Sequence, residues 1–194
     1  MSRILVLFAH PALEKSRVNI RLAQAAKSVN SLTFCDLYES YPDFFIDVAA
    51  EQQLLTQHDI IVWHHPMYWY SCPPLLKQWI DLVLTHGWAY GSGGRALEGK
   101  YVLNAITTGG GEMAYHPNGF NRFPLRQFLI PFEQTVRLCR MSYLPPFVVQ
   151  GTHRMNDAEI EAQAERYATL LRDLRDDKFD LDAVGRVEFF NQLL

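Results

Sequence analysis

The sequence predicts a doubly wound α/β fold: five parallel strands in the order 2-1-3-4-5, with helices on both faces. Three observations carry it. Short, β-branched apolar runs alternate along the chain with segments whose apolar residues recur at helical spacing. Residues 4–9 are apolar throughout instead of alternating, as in a strand buried on both faces. Residues 58–94 read as a complete strand–loop–helix unit, the half-unit of an open parallel sheet.

Taken in order, residues 4–9 form the first, central strand, and His10-Pro11 ends it. A polar loop, residues 12–19, places Ser16 at the N-cap position ahead of Val18, Ile20, Leu22 and Ala23. Such a helix start offers free N–H groups and a positive dipole end, which together suit a phosphate. Residues 32–37 are the second strand, 38–48 a long aromatic loop and 49–57 a helix. The third strand, residues 60–65, delivers an aromatic loop running from Met67 to Cys72. Pro73-Pro74 then opens a helix reaching residue 85, because the first helical turn needs no backbone donor. Gly87, Gly91, Gly93 and Gly94 mark a flexible connection. The fourth strand, residues 100–107, runs into Thr108-Gly109-Gly110-Gly111. Residues 124–139 read as a helix interrupted or kinked at Pro131. Residues 142–150 carry the fifth strand, made irregular by Pro145-Pro146. Asn156 or Asp157 caps the last long helix, with Ile160, Ala164, Tyr167, Leu170, Leu171 and Leu174 on one face. Residues 1–175 then make one domain, and 176–194 a tail that packs on a partner or stays loose.

Composition narrows the function classes. At 194 residues the chain can bury a sizeable core as a single domain. A formal charge of −3 provides no basic field, which argues against nucleic acid as a partner. Cys35, Cys72 and Cys139 lie far apart and suggest neither a disulfide framework nor a zinc site, in keeping with a reducing cytoplasm. The apolar run at the N-terminus is too short for a signal peptide, and no stretch approaches the roughly 20 residues of a membrane span.

In the 2-1-3-4-5 order the loops after strands one, three and four converge at the switch point. The first offers a phosphate seat, the third flat aromatic walls, and the fourth a glycine run that a planar ligand can approach closely. A phosphate, a polyol tail and a large flat ring describe flavin mononucleotide, FMN. No Gly-x-Gly-x-x-Gly or P-loop sequence is present, which disfavours the usual dinucleotide and triphosphate cradles. Simpler readings stand beside these. Trp69 and Tyr70, taken alone, read as core or interface aromatics, and only the phosphate loop and the glycines turn them into a site. His10 either satisfies a strand-end carbonyl or binds ligand. Cys72 reads as a small buried residue before Pro73 ahead of a redox thiol. Adjacent His64 and His65 point to opposite faces of a strand and so form no metal pair. Ser16 lacks the elbow sequence of a serine hydrolase.

Several motifs together resemble the flavodoxin-like NAD(P)H:quinone reductases: the strand-ending HP, the following SRVN, HPMYWYSCPPLLKQWIDLVLTHGWAYG and TTGGG. With YPDFFID and MSYLPPF added, the resemblance is closest to the cytoplasmic ancillary subunits, KefF and KefG, of glutathione-gated potassium efflux systems. It covers roughly residues 3–170. The resemblance implies that His10, Ser16, Arg17, Val18 and Asn19 hold the flavin phosphate and ribityl chain. It implies that Met67, Tyr68, Trp69 and Tyr70 pack along the isoalloxazine. Thr107, Thr108, Gly109 and Gly110 would bond its pyrimidine side. Tyr115 falls where those reductases keep a tyrosine beside the acceptor. Their nearby histidine position reads Asn121 here, and the nearest histidine is His116.

The function expected is therefore an FMN-dependent NAD(P)H:quinone oxidoreductase with ping-pong hydride transfer, acting as a homodimer. The alternative is a regulatory module on the cytoplasmic domain of a membrane potassium efflux protein, with weak or vestigial catalysis. The expected location is the cytoplasm, peripheral to the inner membrane face through that partner. A plain electron-transfer flavodoxin fits less well, since such proteins are strongly acidic. The sequence shows no arginine committed to a 2′-phosphate, so NADH and NADPH both stay open, as do quinone, azo and nitro acceptors.

Overall fold

In the computed structural model, which describes residues 1–194, six strands form one parallel sheet. β1 (Ile4–Phe8) lies between β2 (Leu32–Asp36) and β3 (Ile60–Pro66). β4 (Tyr101–Thr108) follows β3. β5 (Ser142–Tyr143) and β6 (Phe147–Gln150) share the far side of β4. The predicted order is the order found, with the fifth place filled by two short strands. Pro145 and Pro146 have no N–H to give the ladder, so the strand parts there. Its register against β4 slips by one residue across the gap, as at a bulge.

Helices cover both faces, which is why β1 is apolar along its whole length. Ile4 and Val6 pack with α1 (Arg17–Lys27) and α7 (Asp157–Arg175). Leu5 and Leu7 join the opposite core. That core is covered by α3 (Val48–Thr56), α4 (Pro74–Val83), α5 (Leu125–Phe128) and α6 (Ile130–Leu138). A one-turn helix, α2 (Leu37–Ser40), cuts β2 a residue short of the expected end. The Asp36 carboxylate causes this by accepting from the N–H groups of Tyr38 and Glu39. Residues 124–139 are two helices, not one kinked helix. The break falls at Leu129, and Pro131 sits in the first turn of α6, where its missing donor costs nothing. Asn156, not Asp157, caps α7, in a capping box with Glu159.

Two connections differ from expectation. The glycine-marked stretch after α4 is anchored, with Ala89 and Leu97 fully buried. Gln52 holds its start by donating to the Val83 carbonyl at 2.9 Å. The tail from Asp176 folds back on its own sheet. Phe190 is wholly buried, and the Asn191 side chain bonds both the N–H and the carbonyl of Val148. An amide side chain there takes the place of a neighbouring strand and covers the exposed edge of β6.

His64 fills a fully buried position on β3, wedged edge-on between Phe8 and Tyr167 at 4.8 and 5.1 Å, and neither ring nitrogen has a partner. Burial pushes its pKa down to about 3, and that of the neighbouring His65 to about 4. Unfolding returns both rings to the ordinary value near 6.5, so the unfolded chain binds protons that the folded one refuses. Stability is therefore complete above about pH 6.5 and falls as pH drops towards 4, as each ring's suppressed protonation is regained on unfolding. Urea midpoints at pH 7 and pH 5 measure this. In His64→Leu the loss between the two pH values should shrink by about one proton's share; an unchanged loss would exclude His64 as its source.

Candidate functional site

The loops that leave the carboxyl edge of β1, β3, β4 and β6 bring a group of polar residues together. After β1, His10 is buried and its Nδ1 accepts from the Ala12 N–H at 3.2 Å, so the ring proton lies on Nε2. Desolvation lowers the His10 pKa, opposed by Glu14, which keeps the ring a neutral donor near neutral pH. Ser16 caps α1 by accepting from the Asn19 N–H at 3.2 Å. The N–H groups of Arg17 and Val18 in that first turn have no partner in the chain. Asn19 is almost wholly buried and acts as a strut: its Nδ2 donates to Ser16 Oγ at 2.9 Å and to Thr107 Oγ1 at 3.0 Å. It thereby fixes the start of α1 against the end of β4. Arg17 turns outward and bonds Asp157 and the Met155 carbonyl.

The loop after β3 is a tight hairpin. Tyr68 and Ser71 exchange backbone hydrogen bonds at 3.3 and 3.0 Å, and Trp69 and Tyr70 between them have φ of 49° and 64°. Two left-handed residues in a two-residue turn is the arrangement normally given to Asn-Gly, so the pair is strained. The strain is held by neighbours. Tyr70 stacks on Phe128 at 5.1 Å and 25°, and its hydroxyl donates to Asn121 Oδ1 at 3.3 Å. Trp69 has no such hold and is 93 % exposed.

After β4, the Thr108 hydroxyl donates to the Gly110 carbonyl at 2.7 Å. The N–H groups of Gly151 and Thr152 pin the run from the side, donating to the carbonyls of Gly110 and Thr108. Glycine allows close approach here. A Cβ on Gly109 would overlap the His153 ring, and one on Gly110 would crowd Ala114 and Tyr115 at 3.2 Å.

These loops enclose a cavity of about 490 Å³ lined by Ser16, Arg17, Val18, Asn19, His10 and Gly109 among others. A second, of about 340 Å³, lies between Trp69, Tyr70, Gly110, Tyr115 and Phe120. Met67 lines both, and the neighbouring Gly109 and Gly110 line one each, so the two adjoin as the polar and aromatic ends of a trough. Tyr68 walls the polar part, edge-on to His10 at 6.0 Å. Tyr115 is half-buried against Phe128, and burial raises its pKa, opposed by the Thr108 hydroxyl, so it keeps its proton. His116 lines neither cavity. It is exposed, and its Nδ1 closes a turn by accepting from the Asn118 N–H at 3.3 Å. Cys72 is buried, and desolvation pushes its thiol up to about 11.

Sequence reasoning missed Lys15, Thr152 and His153, which also line the polar end. The signal was present for the last two: the loop after the final strand also leaves the carboxyl edge, by the same rule that selected the other three loops.

The family described as having a flavodoxin-like fold matches residues 2–171. The ancillary protein KefG of the glutathione-regulated potassium-efflux system of Pectobacterium carotovorum is 48 % identical over 169 residues, covering 87 % of this chain and 92 % of that one. General stress protein 14 of Treponema denticola, solved in complex with FMN, superposes with a TM-score of 0.83 at 40 % identity, over 89 % of this chain and 99 % of that one. An NADPH-quinone reductase of P. pentosaceus gives 0.77 at 29 % identity, over 87 % and 96 %. With its strand order, its cap at Ser16 and its carboxyl-edge trough, this chain belongs to the flavodoxin-like family and is a relative of the potassium-efflux ancillary proteins.

Proposed function

We propose that the chain binds FMN in this trough and is an NAD(P)H:quinone oxidoreductase. The observation that carries the reading is the trough's two-ended character. Unpaired N–H groups at the start of α1 meet one end, and an exposed indole lines the other together with the Gly110 backbone. The residues fit the cofactor. Arg17 and Val18 N–H groups, with the dipole of α1, suit its phosphate, and His10 Nε2 adds a donor. Gly109 and Gly110 leave a side-chain-free edge for the pyrimidine end of a ring, beside Thr107 and Thr108. Bound FMN supplies the chemistry, accepting a hydride from a nicotinamide and passing two electrons to an acceptor.

The chain's own residues bind and orient. Met67, Tyr68, Trp69 and Tyr70 form the wall against which a flat ring lies. The Thr107–Gly110 backbone offers donors where negative charge collects on reduction. Tyr115, protonated and beside the aromatic cavity, is placed to donate to an acceptor oxygen. His116 has no part in this reading. One aromatic cavity serves donor and acceptor in turn, which gives ping-pong kinetics. Trp69 and Phe120, which line it, stand 93 % and 88 % exposed; Met113, next to the lining residue Ala114, is 76 % exposed, and Phe45 is 82 % exposed in the loop after α2. A second copy covering these side chains completes the pocket as a homodimer.

The likeness to KefG favours a second role, in which the protein docks on the cytoplasmic domain of a potassium efflux protein and raises its activity. In that role it would work in the cytoplasm, at the inner membrane face.

The purified protein should be yellow and should oxidise NADH or NADPH with a quinone, giving parallel double-reciprocal lines. A colourless protein that takes up no added FMN would end the proposal. Trp69→Ala should weaken FMN binding by about fivefold to tenfold, the worth of one aromatic stacking contact, with the thermal midpoint unchanged. Titration of flavin fluorescence measures it. Assaying the same variant for efflux activation separates the two roles: activation that survives loss of flavin makes docking primary.

Gly109→Ala should also reduce FMN affinity, because the new methyl displaces the His153 ring into the polar cavity. The double variant with His153→Ala should regain most of it. Equal affinity in all three proteins would show that the approach of His153 to Gly109 has no bearing on the site.

A further inference from the structure

The aromatic hairpin has a second support, lying wholly inside the protein. Along the β1–β3 ladder, the Ala9 N–H donates to the His64 carbonyl at 2.9 Å. Parallel rungs recur every second residue, so the next donor, to the Pro66 carbonyl, would come from residue 11. That residue is Pro11, which has no N–H. The Pro66 carbonyl is met instead by His65 Nδ1 at 3.0 Å. Since a carbonyl only accepts, the His65 proton lies on Nδ1. The ring is wholly buried and desolvation holds its pKa down to about 4, so it is neutral and Nε2 is an acceptor. Asn104, also wholly buried, donates to that nitrogen through Nδ2 at 2.9 Å. This fixes the amide's orientation and turns Oδ1 towards the Tyr143 hydroxyl, which donates to it at 2.6 Å. Every proton in the chain of bonds points one way, from Tyr143 through Asn104 and His65 to the peptide where the hairpin begins.

The same network touches the hairpin's far end. Arg126 lies over the Tyr143 ring at 5.4 Å, and two residues further along α5 Phe128 stacks on Tyr70. Three polar side chains in a parallel-sheet core are costly unless each is satisfied, and here each is. The adjacent His64, by contrast, has no partner at all.

We propose that His65 is a positioning residue for the trough: with Asn104 and Tyr143 it locks the peptide between Pro66 and Met67 and so sets where the hairpin holds Trp69 and Tyr70 in the aromatic cavity. The inference rests on the trough being the FMN site.

Three variants of the full chain test it: His65→Leu, Tyr143→Phe, and His65→Gln, whose amide can both donate to Pro66 and accept from Asn104. Amide exchange of residues 67–72 and the FMN dissociation constant are read alongside the thermal midpoint. His65→Leu should raise the dissociation constant about tenfold and speed hairpin exchange, the scale of one buried hydrogen bond. Tyr143→Phe should do the same to a smaller degree, and His65→Gln should recover most of both. Should His65→Leu fail to fold, Tyr143→Phe decides. Hairpin exchange and FMN affinity that stay at wild-type values while only the thermal midpoint falls would overturn the proposal and leave His65 a core residue. Failure of the wild-type chain to bind FMN would instead overturn the cofactor reading, and the exchange comparison would still decide the network.

Discussion

Burial of β1 and β3 on both faces is the constraint from which the rest of the molecule follows. With 0 to 1 % exposure along residues 4–8 and 60–65, neither strand can present a functional group sideways without burying it. Chemistry is therefore confined to where the strands end. The parallel direction sends all of those ends to one edge, so four loops remote in sequence become neighbours. Asn19 makes the neighbourhood rigid. Its buried amide ties the first turn of α1 to Thr107, linking the polar end of the trough to the end of β4. Removing that amide would leave the hydroxyls of Ser16 and Thr107 to find other partners.

The hairpin at residues 68–71 is the opposite kind of structure. It stands in an unfavourable backbone region, at a cost on the order of 1–3 kcal/mol for each of Trp69 and Tyr70. Glycine at either position would relieve that cost. The chain instead places its two largest ring types there and holds one of them, Tyr70, from the side with Phe128 and Asn121. Such strain is kept only where the position of the rings matters more than local stability, and the exposed Trp69 is the ring left without an internal partner.

Much of this was legible in the residues. The wholly apolar run at 4–9, the proline-led helix after Cys72 and the Ser16 cap are local signals, each readable within a few residues. The switch-point rule then brought the loops together. What was hidden depends on contacts between distant residues. The tail looked mixed because its two informative residues, Phe190 and Asn191, act on β6 some forty positions earlier. The glycine stretch after α4 looked open because nothing in its own sequence announces that Ala89 and Leu97 meet the core. His116 is only the histidine nearest to Asn121 in sequence; it closes a turn and lines neither cavity. His153 was hidden because the glycine it approaches, Gly109, lies in a different loop, some forty residues earlier.

His64 and His65 show why residue type alone does not assign a role. They are adjacent, equally buried and equally starved of water, and strand alternation sends them to opposite faces. On the α7 face His64 meets only aromatic edges, and its nitrogens stay unpaired. Its contribution is shape, and any apolar side chain of similar size could supply that. On the α6 face His65 meets Asn104 on one side and the Pro66 carbonyl on the other. That carbonyl lacks a ladder partner because β1 has already ended, and the residue next in the ladder's sequence is Pro11, which has no N–H. The proline that ends the first strand and the histidine that precedes the hairpin are thus two halves of one arrangement: the first removes a donor at the rim of the sheet, and the second replaces it with a donor wired into the core.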